Sequence, residues 1–358
     1  MHSVYKEWCT ENSLSAVGRM QFTAILKKQK ISIHHLRKDQ CDICSGFKVG
    51  TIDDEEYRNH IKRKNDARAA KRAAKESANS EKLVITMDLQ SVLVCPKTNA
   101  SSMYYKQKLQ VHNFTIYELN KGDVHLYVWH EANGGVSSNE FTSCIADYIS
   151  KISNSYKHVV LISDGCNYQN RNKVLASTLS DLAKTKSIVI EQLFLEKGHT
   201  MMEADSVHAT LEQYFKPPIN SPADYIARMR LARSKQPYNV NVIHYGFFLK
   251  YDDLNTNLSS LRPGKKTGDP TVTDIRQIRY SPNGDIDFLL GFSGDWKPLP
   301  QRRKTGTSTP RRMYSSAIPI AESKYRHLQE LKEVIEKDHH AFYDSLQYKA
   351  DQEKKRNN

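Results

Sequence analysis

The fold of this chain is decided by two short apolar stretches, Leu83-Val84-Ile85-Thr86-Met87-Asp88-Leu89 and Val159-Val160-Leu161-Ile162-Ser163-Asp164. Runs rich in β-branched and aliphatic residues predict buried strands, and each of these runs ends near an aspartate. The same patterns predict further strands and helices around the two stretches: strands at 114–117, 124–129 and 188–194, and helices at 141–152, 174–182 and 201–215. The resulting order, β-β-β-α-β-α-β-α, predicts an α/β fold in which helices cover a sheet.

The chain upstream of this core is predicted to be helical. Two short helices, at 3–11 and 16–30 with Ser15 as a possible N-cap, form a segment 1–36 that is either helix-turn-helix-like or an ordinary helical hairpin. Segment 37–80 holds a cysteine pair and a long helix with an acidic start and a basic end. That basic end is either a solvated connector or a phosphate-binding stripe, made by Lys62, Arg63, Lys64, Arg68, Lys71 and Arg72.

Downstream of the core segment 81–216 the periodic pattern weakens. A helix near 223–234 and strands around 240–250, 274–280 and 286–292 predict a small α+β appendage over 217–300. Residues 301–358 are predicted to hold a basic linker followed by a charged helix at 320–355.

Composition favours a soluble protein with an anionic partner. The 358 residues include 53 Lys and Arg against 40 Asp and Glu, which gives a formal net charge of +13. Nucleic acid is the usual partner of such an excess, because each phosphate that is neutralised releases counterions. No apolar run reaches the ~18 residues that span a bilayer, and no signal-peptide pattern follows Met1, so we expect an intracellular protein without a membrane partner.

The two strand-ending aspartates, Asp88 and Asp164, are candidates for a metal site. They lie side by side if their strands are neighbours, and the predicted helix at 201–215 offers a third acid, Glu203 or Asp205. Those two residues flank the apolar stripe of the helix on opposite sides, so the helical pattern leaves them comparable. Converging carboxylates repel unless a cation lies among them, and Mg²⁺ or Mn²⁺ is the natural one for hard oxygen ligands. Such a site would activate a nucleophile for phosphoryl transfer.

The pair Cys41-Asp42-Ile43-Cys44 has the spacing of a zinc knuckle. His60, on the following helix, is a predicted third ligand of structural Zn²⁺. Cys9 is the candidate fourth ligand, with His34 or His35 as substitutes. The alternative is that the two thiols simply pack against a helix.

The stretch 86–212 resembles the RNase H-like core of a large group of eukaryotic transposon-derived proteins of the DDE/D type, and the upstream Cys-x-x-Cys segment with its helix is similar to the same group. The resemblance is carried by Met87-Asp88-Leu89-Gln90, Tyr104-Tyr105-Lys106-Gln107-Lys108-Leu109, Trp129-His130-Glu131, Ser138-Asn139-Glu140, Ser163-Asp164, Gln169-Asn170-Arg171-Asn172, Gly198-His199-Thr200 and Ala204-Asp205-Ser206-Val207-His208.

This resemblance implies an RNase H-like mixed sheet with flanking helices, and a nuclear transposase-like protein that binds DNA. A second copy of the chain, in a homo-oligomer, is a further candidate partner. The resemblance selects Asp205 over Glu203 as the third catalytic acid beside Asp88 and Asp164. It also implies a supporting role for His199, which would orient a phosphate or the attacking group; the alternative is a cap or surface residue. Gln169 and Asn170, which follow Asp164, either support the site by contacting the nucleic-acid backbone or form a polar helix start.

The sequence departs from the pattern of the group in two loops. The loop 133–138 lacks the usual Arg-Gly at 136–137, and Gly165 and Tyr168 replace a common Asn and Gly. Two other functions therefore stand beside the transposase: a domesticated DNA-binding protein without turnover, and an RNase H-like nuclease without strand transfer. The altered loop favours the first of these, and the intact acids favour an enzyme.

Overall fold

The computed structural model describes residues 2–29, 31, 41–254, 258–301, 305–307 and 309–350. Its α-helices are α1 (His2–Glu11), α2 (Arg19–Lys28), α3 (Asp42–Lys48), α4 (Asp54–Glu76), α5 (Ser138–Ile152), α6 (Lys173–Lys186), α7 (Glu203–Tyr214), α8 (Pro222–Leu231), α9 (Glu322–Leu331) and α10 (His340–Asp344). Its strands are β1 (Lys82–Leu89), β2 (Leu93–Cys95), β3 (Leu109–Glu118), β4 (Val124–His130), β5 (His158–Ser163), β6 (Val189–Phe194), β7 (Asn239–Val242), β8 (Leu249–Lys250), β9 (Gln277–Tyr280), β10 (Ile286–Leu289), β11 (Lys297–Pro298), β12 (Arg311–Arg312), β13 (Ile320–Ala321) and β14 (Tyr348–Lys349).

The chain divides into two compact units between Asp42 and Ile43. This division falls inside α3, a continuous helix, so α3 and Cys41 directly before it are treated with the second unit. In the first unit, the rings of Tyr5 and Phe22 stack with their centroids 4.9 Å apart and so join α1 to α2. The N-cap of α2 is Gly18, and the prediction of Ser15 was wrong: the Val17 amide donates to the Tyr5 hydroxyl at 3.1 Å, which keeps the preceding chain outside the helix.

The second unit is built on a large mixed sheet with the strand order β11-β10-β9-β6-β5-β1-β3-β4-β7, and β2 pairs with β3. β1, β5 and β6 run parallel to one another, whereas β3 is antiparallel to both β1 and β4. Side chains of β1 alternate between two apolar clusters, as a strand buried on both faces requires. Leu83, Ile85 and Met87 pack with α5 and α6, and Val84 packs with Ala67 of α4. The predicted α/β sheet flanked by helices is therefore confirmed.

The segment 217–300, which the sequence pattern describes as an appendage, extends the main sheet at both sides. β7 pairs with β4 in parallel, and β9 pairs with β6 antiparallel. β10 then follows β9. The prediction of one charged helix over 320–355 was wrong in its length, because α9 ends at Leu331. The chain folds back after α9 because Tyr343 and Leu346 join Leu328 in one buried cluster; residues 351–355 lie outside the described part.

Helix α4 packs on the sheet through its small side chains. Asp53 caps its start by accepting a 2.8 Å hydrogen bond from the Glu56 amide. His60 and Ala67 are buried, and Ala70 and Ala74 pack against the cluster that contains Ala67. This face makes α4 part of the fold and leaves only its other faces for a partner. Among the residues that the structure describes, no helix has the length and apolarity to cross a membrane.

Candidate active site and cysteine–histidine cluster

Asp88 and Asp164 are brought together by the pairing of β1 with β5. The parallel register runs as far as Thr86 opposite Ile162, and beyond it the charge of Asp164 is near enough to Asp88 to raise the pKa of that carboxyl group. Asp88 is the penultimate residue of β1, and Asp164 directly follows β5. Both carboxyl groups therefore lie at the carboxyl ends of these two central strands.

The third acid of this site comes from α7. Ala204, Val207 and Leu211 are buried and fix that helix against the sheet. Asp205 and Asp88 then each offer a carboxylate oxygen in a group whose ligand atoms all lie within 4.8 Å of one another. Glu203 is engaged elsewhere, because one of its carboxylate oxygens forms an ion pair with Lys71 at 2.8 Å.

His208 is the remaining member of the group that contains Asp88 and Asp205. Its ring is buried, and its Nε2 lies 3.0 Å from the Thr115 hydroxyl. The role of this histidine was not predicted from the sequence. The signal was the three-residue spacing from Asp205, which places both side chains on one face of a helix.

The electrostatics of the site are those of crowded acids. Burial raises the pKa of Asp88 to about 7, helped next by the neighbouring carboxylates of Asp164 and Asp205, while a hydrogen bond from the Leu89 amide acts in the opposite direction. A nearby cation stabilises the charged form of a carboxyl group that lies among like charges. This arrangement suits a divalent metal that takes hard oxygen ligands.

Asp164 is held in place by the loop that follows it. Its Oδ1 accepts hydrogen bonds from the Asn170 side-chain amide at 2.8 Å and from the Cys166 backbone at 3.2 Å. The Asn170 backbone carbonyl in turn accepts a 2.8 Å bond from Gln192 of β6. Gln169 bonds instead to the Tyr168 hydroxyl at 3.0 Å, so these contacts distinguish the two predicted supporting residues.

A cleft of about 600 Å³ opens beside Asp164, and its lining includes Arg171, Lys197 and Arg276. The Arg171 guanidinium lies 4.6 Å from the centre of the Phe194 ring. It also packs over Gly165, where an added Cβ would meet its Nη2 at 2.5 Å. A side chain at position 165 would therefore require the Arg171 guanidinium to shift.

A second cluster lies at the predicted zinc knuckle. Cys41, Cys44, His60 and His199 each offer a ligand atom, all within 4.8 Å of one another. The structure thus places His199, predicted as catalytic support, with the cysteine pair. Burial, followed by the charges of His60, Lys64 and Arg68, lowers the pKa of His199. Cys9 is buried in the first unit and is not among the four, and His34 and His35 lie outside the described residues.

The six basic residues predicted on α4 differ in their surroundings. Arg63 contacts Glu196 at 3.2 Å, Arg68 contacts the Met201 sulfur at 2.9 Å, and Lys71 pairs with Glu203. Lys64 is half-buried, and Lys62 and Arg72 are exposed. Lys62 and Arg72 are therefore the members of the set most open to a phosphate.

Comparison with known proteins gives no match among family models, curated proteins or solved structures.

Proposed function

We propose that this protein is a metal-dependent phosphoryl transferase that cuts and joins DNA strands, as a transposase does. Asp88, Asp164 and Asp205 are its catalytic carboxylates. The observation that carries the proposal is the convergence of Asp88 and Asp205 from β1 and α7, with Asp164 at the end of β5 near enough for its charge to raise the pKa of Asp88. The mixed sheet, with an aspartate on its first strand and another after the parallel neighbour, supports the RNase H-like core that the resemblance implies.

The donor set fits Mg²⁺ or Mn²⁺. Asp88 and Asp205 lie within coordinating reach of a common point. Burial first, and then repulsion by the carboxylates of Asp164 and Asp205, raises the pKa of Asp88, and a bound cation would relieve that repulsion. Bound there, a divalent ion would lower the pKa of a water or hydroxyl nucleophile and neutralise charge on the phosphate.

The surrounding residues position these ligands and the substrate. Asn170 holds Asp164 through its side-chain amide. Arg171 and Arg276 line the adjoining cleft, where their positive charge favours a nucleic-acid backbone. The net charge of +13 adds long-range attraction for DNA.

The test is Mg²⁺-dependent cleavage of duplex and single-stranded DNA by the full chain. Asp164→Asn should abolish cleavage and retain DNA binding, because the loss of one carboxylate weakens the metal site and leaves the basic surface unchanged. Asp295→Asn, at an exposed loop position, is the matched control and should keep full activity.

Two results would replace the proposal by the other functions. DNA binding by the wild-type protein without cleavage of any DNA or RNA would indicate a domesticated binding protein that has lost turnover. Cleavage of RNA or DNA without any strand joining would indicate an RNase H-like nuclease.

A further inference from the structure

We propose that the protein has a second metal site of structural character, in which Zn²⁺ is bound by Cys41, Cys44, His60 and His199. The cysteines lie at the start of α3, His60 lies on α4, and His199 lies between β6 and α7. The fourth ligand thus comes from the segment that leads into the proposed active site, and not from Cys9.

The distances within the cluster are those of a tetrahedral zinc site. The two Nε2 atoms of His60 and His199 are 3.0 Å apart. The Cys44 sulfur lies 3.5 Å from the first and 3.4 Å from the second. Zn–N bonds of ~2.0 Å and Zn–S bonds of ~2.3 Å in tetrahedral geometry give edges of about 3.3 Å between nitrogens and about 3.5 Å between nitrogen and sulfur.

The surroundings of His60 are those of a histidine that binds zinc through Nε2. Its other ring nitrogen, Nδ1, lies 3.4 Å from a carboxylate oxygen of Glu196. Arg63 and Arg276 contact the same carboxylate at 3.2 and 3.5 Å. A carboxylate behind a metal-bound histidine fixes the orientation of the ring and its protonation.

The donor types select the metal. Two thiolates and two imidazoles in a closed tetrahedral set favour Zn²⁺ over Mg²⁺ and Ca²⁺, which take oxygen ligands. The same atoms admit one other arrangement, a metal-free contact in which the two imidazoles share one hydrogen bond and the thiols pack beside them. The two arrangements differ in zinc content.

Zinc at this point would join three segments that lie far apart in sequence. The segment after His199 is also held by α4, since Lys71 donates to the Met201 carbonyl at 2.6 Å and pairs with Glu203. Asp205 follows His199 by six residues, in the first turn of α7. We infer that the zinc site positions Asp205; this consequence rests on the proposed function, whereas zinc binding itself does not.

The experiment measures zinc in the purified full chain and its coordination by X-ray absorption. We expect about one zinc per chain and a shell of two sulfurs and two nitrogens. His199→Ala should lose most of this zinc or exchange its nitrogen ligand for a water oxygen. Cys9→Ser and His244→Ala, the latter at an exposed histidine outside the cluster, should retain one zinc with the wild-type shell.

Wild-type protein with only trace zinc, after growth in zinc-supplemented medium, would overturn the proposal. A shell of three sulfurs and one nitrogen, or full zinc with an unchanged shell in His199→Ala, would overturn the role of His199. A variant that fails to fold leaves the wild-type shell as the deciding measurement. Zinc content does not depend on catalysis, so an inactive protein with one zinc and the expected shell would support this site and contradict only the proposed function.

Discussion

Asn170 donates a 2.8 Å hydrogen bond from its side-chain amide to Oδ1 of Asp164. A group that orients a metal-binding carboxylate typically contributes about 10–100-fold to metal affinity or activity. We therefore expect Asn170→Ala to lower Mg²⁺-dependent cleavage by about that factor and to raise the Mg²⁺ concentration needed for half-maximal rate. The measurement is a cleavage rate titrated with Mg²⁺.

Gln169 provides the comparison for Asn170, because the two residues are neighbours in sequence and both are buried. Its amide bonds to the Tyr168 hydroxyl and not to a carboxylate of the site. Gln169→Ala should therefore leave the Mg²⁺ requirement unchanged. An equal shift of the Mg²⁺ requirement in both variants would contradict a specific positioning role for Asn170.

The exposed cations of α4 are expected to bind DNA phosphates. Lys62→Ala with Arg72→Ala should lower the slope of log affinity against log salt by about 2, since each phosphate contact contributes about 0.9. Binding of the full chain to duplex DNA, measured between ~50 and 200 mM salt, gives that slope. A slope equal to that of the wild-type protein would show that Lys62 and Arg72 make no phosphate contact.

The local pattern was enough to predict the central strands and the pairing of acids. β1 and β5 carry continuous apolar runs, which are typical of strands that are buried on both faces of a sheet. Asp88 and Asp164 could be predicted as site residues because they stand at the ends of those runs. The choice between Glu203 and Asp205 did not follow, because both flank the apolar stripe of α7, and it is the ion pair with Lys71 that distinguishes them.

Long-range contacts account for what the sequence left open. His199 lies with the cysteine pair because the fold brings the segment after β6 next to α4. This contact between distant segments cannot be inferred from the spacing of residues in the sequence. The strand β7 is short and half-exposed, with little periodicity of its own, yet β4 pairs with it. Likewise, α9 ends at Leu331 and the chain returns so that Tyr343 joins Leu328 in one buried cluster, which is a tertiary effect on an otherwise helical pattern.

Asp205 and Glu203 form a matched pair for testing the third acid. Asp205→Asn should reduce Mg²⁺-dependent cleavage by about 100-fold or more, because it removes a ligand and a negative charge from the site. Glu203→Gln loses only a partly exposed ion pair with Lys71, worth about 0–1 kcal/mol of stability, so its activity should stay within a few-fold of wild type. The reverse pattern of activities would assign the third position to Glu203.

The raised pKa of Asp88 predicts how stability depends on pH in the absence of Mg²⁺. The unfolded chain loses this proton near pH 4, whereas the folded protein keeps it up to about pH 7. Between those values the folded state binds more protons, so the free energy of unfolding that this group contributes falls as pH rises. Asp88→Asn should therefore be more stable than wild type at pH 8, and the advantage should fade toward pH 4.

Thermal unfolding at pH 4, 6 and 8 measures this difference, in Mg²⁺-free buffer without chelator so that any bound zinc is retained. Added Mg²⁺ should stabilise the wild-type protein at pH 8, because a ligand that binds only the folded state raises its stability. It should have much less effect on Asp88→Asn, which lacks one of the three carboxylates. If Asp88→Asn has no advantage at pH 8 and Mg²⁺ stabilises both proteins equally, the three acids do not form a shared metal site, because neither their repulsion nor its relief by a cation is present.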